Sequence, residues 1–169
     1  NLTASTGQSD IFVSKFNSDG EMQWGQVFGG TDDDNPQEVT LTSDAVYLTG
    51  SFKGTDVNFD PDGTDLHTSN GLGDAFVTKL GLDGSYGWTK TFGGTSWEVG
   101  NTIAFDVDEN MYVSGSFWSA NVDFDMNGGT DLRSSAGADD IYISKYASDG
   151  SYLWTKTGGD THGQYPVSL

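Results

Sequence analysis

A stretch of about 65 residues recurs along the chain, and self-similarity at a fixed period constrains a fold more tightly than any local propensity. "DIFVSKFNSDGEMQWGQVFGG" at 10–30 returns as "DAFVTKLGLDGSYGWTKTFGG" at 74–94 and as "DIYISKYASDGSYLWTKTGG" at 140–159. Trp24, Trp88 and Trp154 stand 64 and then 66 residues apart. Between these blocks lies a second element, "EVTLTSDAVYLTGSF" at 38–52, which returns as "NTIAFDVDENMYVSGSF" at 101–117.

Each block alternates side chains with the two-residue period of a strand, Ile11/Val13/Lys15 on one face and Phe12/Ser14/Phe16 on the other. An Asp-Gly pair follows at 19–20, 83–84 and 149–150, suited to a turn that needs positive φ, and then the strand that carries the tryptophan. Val39/Leu41 and Val46/Leu48 flank Ser43-Asp44-Ala45 as a second hairpin. One unit therefore supplies four antiparallel strands, and no segment has the apolar spacing and caps of a helix. The expected fold is all-β: β-propeller blades of four antiparallel strands, about 65 residues per repeat. A β-solenoid also repeats, but its rungs are much shorter.

The copies fall at about 1–37 (partial), 38–100, 101–163 and 164–169 (partial), or about 2.6 units, where closed rings take about four to eight blades. The expectation is an incomplete ring, part of one β-propeller. Its remaining blades would come from the same longer chain or from a homo-oligomer.

The recurring Asp-x-Phe/Tyr-Val/Ile-x-Lys, Asp-Gly, Trp and Phe-Gly-Gly steps, with Tyr112-Val113-Ser114-Gly115, resemble the bacterial SBBP-type β-propeller repeat family. The resemblance covers nearly the whole chain. It implies a secreted or cell-surface module, often within a larger polypeptide, and a scaffold rather than a reaction. Two departures touch loop geometry: Thr157-Gly158-Gly159 lacks the Phe, and the turn at 43–45 lacks the family's Asp-x-x-Gly-Asn pattern.

Charge narrows the partners. Seven basic residues against 25 acidic ones leave a net charge of −18, which repels a phosphate backbone and an anionic membrane surface. Nucleic acid and direct membrane insertion are not expected. The absence of cysteine removes disulfides, thiolate metal sites and a cysteine nucleophile.

The acidic loops offer the clearest candidate chemistry. "VDFDMNGGTDL" at 122–132 sets Asp123, Asp125, Asn127 and Asp131 at positions one, three, five and nine, with Gly128 at six and the Gly129 carbonyl at seven. Alternating oxygen donors around a glycine bend suit calcium. The near copy "VNFDPDGTDL" at 57–66 places Asn58, Asp60 and Asp62 alike but lacks one residue, so Asp65 falls at position eight. The second loop is thus the better match for a structural Ca2+, and the competing reading for both is a polar Asx-type turn. Locally the loops resemble those on integrin α-chain propellers.

Trp97 and Trp118 stand in loops whose counterparts carry no tryptophan, so they are candidates for stacking on a glycan or anchoring a protein on a cell surface. His67 and His162 recur in no other unit, and no motif sets a serine beside either one. No catalytic residue is assigned. The functional expectation is a non-catalytic interaction or scaffold segment, adhesin-like, with a lectin-like propeller and a propeller glycoside hydrolase or lyase as alternatives.

Overall fold

In the computed structural model, which describes residues 7–164, the chain is all-β, with no helix among the described residues. β1 (Ile11–Phe16) and β2 (Met22–Phe28) form an antiparallel pair. β3 (Asn35–Leu41) and β4 (Ala45–Phe52) follow as a hairpin, then a short hairpin of β5 (Val57–Asn58) and β6 (Leu66–His67), then β7 (Asp74–Gly81) and β8 (Tyr86–Phe92). The pattern repeats with β9 (Glu98–Phe105), β10 (Met111–Phe117), the short pair β11 (Val122–Asp123) and β12 (Leu132–Arg133), then β13 (Asp140–Tyr146) and β14 (Tyr152–Gly158). Two four-stranded antiparallel sheets result, in the orders β3-β4-β7-β8 and β9-β10-β13-β14.

Alternation along β4 and β7 explains how the sheets stack. Ala45, Tyr47, Ala75 and Val77 face the third sheet, where they join Ile103, Met111, Val113, Phe117 and Tyr142. Val46, Leu48, Phe76 and Leu80 point the opposite way, onto Ile11, Val13 and Phe28 of the first pair. Every residue of β4 is consequently buried. The middle sheet is apolar on both faces because it lies between two others, a face-to-face stacking of propeller-like repeats.

The turns follow from the sequence. Gly20, Gly84 and Gly150 take φ of 80°, 87° and 83°, and Asp83 and Asp149 each accept the backbone N–H of the serine two residues on. Asp106 accepts the N–H groups of Asp108 and Asn110 and so builds the β9–β10 turn. At the missing Phe of the third copy the structure places Gly158 opposite Ile141, where Phe28 and Phe92 pair with Ile11 and Ala75. The copy has lost a side chain there, not a backbone position.

Two glycines of the same type are held by different constraints. A Cβ on Gly115 would collide with the Val99 carbonyl, and it would lie 2.7 Å from the Tyr142 hydroxyl; Gly128 has φ 85° with nothing within 4 Å of its Cβ position. Gly115→Ala is expected to cost about 2–3 kcal/mol through overpacking, and Gly128→Ala only about 1 kcal/mol through backbone strain. Urea denaturation of both variants checks this order.

Candidate functional site at the loop end

Because the strands alternate in direction, every β4–β7-type and β8–β9-type connection lies at one end of the sheets. All the elaborations collect there: both acidic loops, Trp97, Trp118 and "TDDDN" at 31–35. The short hairpins are fixed first by their phenylalanines. Phe124 is fully buried, with its ring centroid 5.1 Å from Phe92 of the preceding sheet, 5.4 Å from Phe117 and 5.0 Å from Tyr142. Phe59 repeats this, 5.9 Å from Phe28, 5.3 Å from Phe52 and 5.2 Å from Phe76. Each short hairpin is thus an aromatic wedge between its own sheet and the one before it.

With the wedge set, the acidic loops close on themselves. Asp123 Oδ1 accepts the N–H groups of Asp125 (3.1 Å) and Asp131 (2.9 Å), and Asp125 Oδ1 accepts that of Asn127 (2.9 Å). In the first loop Asn58 Oδ1 accepts from Asp60 (3.2 Å) and Asp65 (2.9 Å), and Asp60 Oδ1 from Asp62 (3.1 Å). The two loops are the same structure. The extra residue of the second is absorbed at the tip, so Asp65 and Asp131 occupy equivalent places despite the displacement expected from counting positions; Phe59 and Phe124 donate to their carbonyls.

The closing carboxylates are bonded to side chains beyond the loop tips. Asp131 is held by the Arg133 guanidinium, with 2.7 Å to Oδ1 and 3.0 Å to Oδ2, and accepts the Tyr152 hydroxyl. Asp65 is held by His67 Nε2 at 3.0 Å and by the Tyr86 hydroxyl. Burial, with the bond to Asp131, pushes the Tyr152 phenol up to about 12, and burial with the bond to Asp65 pushes Tyr86 well above its ordinary range. Both therefore remain protonated donors. His67 is half-buried, with its ring edge-on to Phe59 at 5.5 Å and Nδ1 3.2 Å from Thr91 Oγ1.

A calcium ion needs about six to eight oxygens. Asp123, Asp125, Asn127 and the Gly129 backbone lie along one loop, but Asp131 is already neutralised by Arg133, and Asp65 is likewise committed beside Asn58, Asp60 and Asp62. Among the described residues no group of three or more His, Cys, Asp or Glu side chains converges at metal-ligating spacing. As arranged, the closing carboxylates are spent on protein partners, and a structural Ca2+ would compete with Arg133 for Asp131 and with His67 for Asp65. Thermal melts in excess calcium and in chelator are expected to coincide within about 1 °C, whereas Arg133→Ala, costing about 1 kcal/mol, lowers the melting temperature by about 2–4 °C.

Trp97 is 38% exposed and lies over Gly73, where a Cβ would meet its ring. Trp118 is half-buried, and its N–H donates to the Trp97 carbonyl at 3.0 Å. The two tryptophans are thus brought to neighbouring connections, with one ring face of Trp97 used in packing.

Beneath this surface lies a series of buried carboxylates that sequence reading missed. Glu98, fully buried, accepts the N–H of Gly94 at 2.6 Å and of Ser119 at 3.1 Å. Asp34 does the same for Gly30 (2.7 Å) and Lys53 (3.3 Å), and Gln164 Oε1 accepts the N–H of Asp160 at 3.2 Å. Asp74 accepts the N–H and the side-chain amide of Asn70, both at 3.0 Å. Gly93 and Gly159 are required because the carboxylates of Asp74 and Asp140 occupy the space a Cβ would take. The recurrence of side-chain oxygens at 34, 98 and 164 was the available signal, obscured by the change of residue type.

Burial pushes the carboxyls of Asp34 and Asp74 up to about 6, with Asp10 and Asp32 adding repulsion at Asp34 and Glu98 at Asp74. A free Asp titrates near ~3.9. The folded state therefore binds extra protons between about pH 4 and 6, and stability falls as pH rises through that window, on the order of 2–3 kcal/mol per group, then levels off. The urea midpoint is expected to be higher at pH 5 than at pH 7.5, with a smaller difference in Asp74→Asn.

No family model matches the chain. It is 30% identical over 146 residues to the regulatory protein FlaEY of Caulobacter vibrioides, covering 86% of this chain and 15% of that protein. It is 27% identical over 173 residues to an uncharacterized WD repeat-containing protein, L264, of Acanthamoeba polyphaga mimivirus, covering 95% of this chain and 12% of the relative. The chain thus spans less than a sixth of the length of either relative. An all-β repeat with stacked antiparallel four-stranded sheets, similar to part of a WD repeat-containing protein, is a propeller-type repeat.

Proposed function

We propose that the chain is a non-catalytic segment of a β-propeller, of the SBBP type, displayed outside the cell or on its surface, and that its loop end meets a partner protein. The observation that carries this reading is how the loop-end polar groups are used. Asp34, Glu98, Asp65 and Asp131 are spent on backbone N–H groups, Tyr86, Tyr152, His67 and Arg133. Asp34 and Glu98 have acids for neighbours, Asp10 and Asp74, but each is spent on two backbone N–H groups instead of facing a substrate, as acid–base or glycosidase chemistry requires. Glu98, the acid nearest Asp74 in effect, has no solvent access.

What remains is a stiff surface, acidic in keeping with the net charge of −18 and tipped by Trp97. Such a surface suits a partner with a basic face, where charge complementarity steers encounter and a tryptophan anchors the contact. The relatives' printed descriptions, a WD repeat-containing protein and a regulatory protein, support a role in interaction.

A photo-crosslinking phenylalanine at position 97, compared with one at Leu153 at a distance from the loops, tests the reading in the producing cell. One discrete protein adduct from position 97, weakened by salt and missing from 153, is expected. Equal labelling from both positions contradicts it. Glycan-array binding lost in Trp97→Ala and Trp118→Ala would replace the protein partner with a sugar.

A further inference from the structure

Two asparagines in the chain precede a glycine, Asn70 before Gly71 and Asn127 before Gly128. Such a step is open to attack by its own backbone, because a following residue without Cβ leaves the approach to the side-chain amide clear and the chain free to rotate. The two steps share a sequence, and the fold treats them in opposite ways.

Asn70 is held at both ends of that reaction. Its side-chain amide donates to Asp74 Oδ2 at 3.0 Å and to the Gly93 carbonyl at 3.4 Å, and its backbone N–H donates to the same carboxylate oxygen at 3.0 Å. The Gly71 N–H, which would be the nucleophile, helps to stabilise the Asp74 carboxylate. Gly71 also packs on the backbone of Gly94 and Thr95, where a Cβ would collide. Bringing this nitrogen onto Asn70 Cγ would break those bonds and push the chain into a neighbouring connection.

Asn127 stands at the tip of the second acidic hairpin, exposed together with Gly128. Its backbone N–H is fixed by Asp125 Oδ1 at 2.9 Å. Among the described residues neither its side-chain amide nor the Gly128 N–H has a hydrogen-bond partner. Gly128 has φ 85° and nothing within 4 Å of its Cβ position. The first hairpin carries a carboxylate at the matching place: Asp62 donates its N–H to Asp60 Oδ1 as Asn127 does to Asp125.

We propose that Asn127 is a site of spontaneous deamidation through a succinimide, and that the fold blocks the same step at Asn70. The Gly128 nitrogen attacks Asn127 Cγ, and a C–N bond forms there as the Cγ–Nδ2 bond breaks. The proton of the Gly128 N–H passes through solvent to the departing nitrogen, which leaves as ammonia. Water then opens the ring. Opening at Cγ restores the main chain and leaves an aspartate, whereas opening at the main-chain carbonyl carbon routes the chain through the side chain as isoaspartate. Either product adds a negative charge to the loop end, and isoaspartate adds a methylene to the backbone at a hairpin tip. The proposal does not depend on a partner at that end.

The test incubates the intact chain at mildly alkaline pH, folded and in urea, and follows both steps by peptide mapping, reading the mass gain of ~1 Da and the isoaspartyl content. In the folded chain position 127 is expected to convert at least about tenfold faster than position 70, and in urea the two rates should converge to within about threefold. Gly128→Ala should slow conversion at 127 by about tenfold or more. Equal folded-state rates, faster conversion at 70, or no conversion at 127 overturns the proposal. The same ratio in urea as in the folded chain also overturns it, because the difference would then lie in the flanking residues and not in the fold.

Discussion

The buried Glu98 carboxylate ties together three pieces of backbone that otherwise have no reason to meet. It sits at the start of β9, and through one oxygen it holds the Gly94 loop arriving from β8. Through the other it holds Ser119, where the chain leaves β10 for the acidic hairpin. Burying an acid is costly unless its oxygens are bonded, and loop N–H groups buried without a partner are costly too. Each deficit offsets the other. Asp34 performs the same service one repeat earlier, and one repeat later Gln164 makes the first of the two bonds, accepting the N–H of Asp160, so the position belongs to the repeat.

Once these connections are fixed, the short hairpins can act as wedges. Phe59 and Phe124 drive into the space between successive sheets, and the polar loops beyond them close through Asx-type bonds with an acid anchored to a tyrosine and a cation. The two acidic hairpins therefore close on themselves, with their loop carboxylates bonded internally. A preformed surface of this kind suits recognition.

Much of this was legible in the sequence, for physical reasons. The two-residue period, the Asp-Gly turns and the paired hairpins follow from local sterics and from the faces each strand buries, and Trp24, Trp88 and Trp154 gave the period. Less legible was anything resting on function conserved through a change of residue. Asp34, Glu98 and Gln164 look unrelated, as do His67 and Arg133, yet each set occupies one structural place. Position counting sees the oxygen donors of the acidic loops but not their hydrogen-bond partners; Arg133, two residues past Asp131, is the partner that counting leaves out. The shift in Asp65 was misread for a related cause, since a hairpin tip absorbs one residue without moving its base.

If the carboxylate series is what holds the connections in place, removing one acceptor should be felt across the molecule. The most direct measurement is urea unfolding of Glu98→Ala beside Glu98→Gln. The account predicts a loss of about 3 kcal/mol or more for Glu98→Ala, because two buried N–H groups lose their acceptor, and a much smaller loss for Glu98→Gln, whose amide oxygen can serve as Gln164 does. Unfolding of Glu98→Ala within about 0.5 kcal/mol of the parent chain would contradict it.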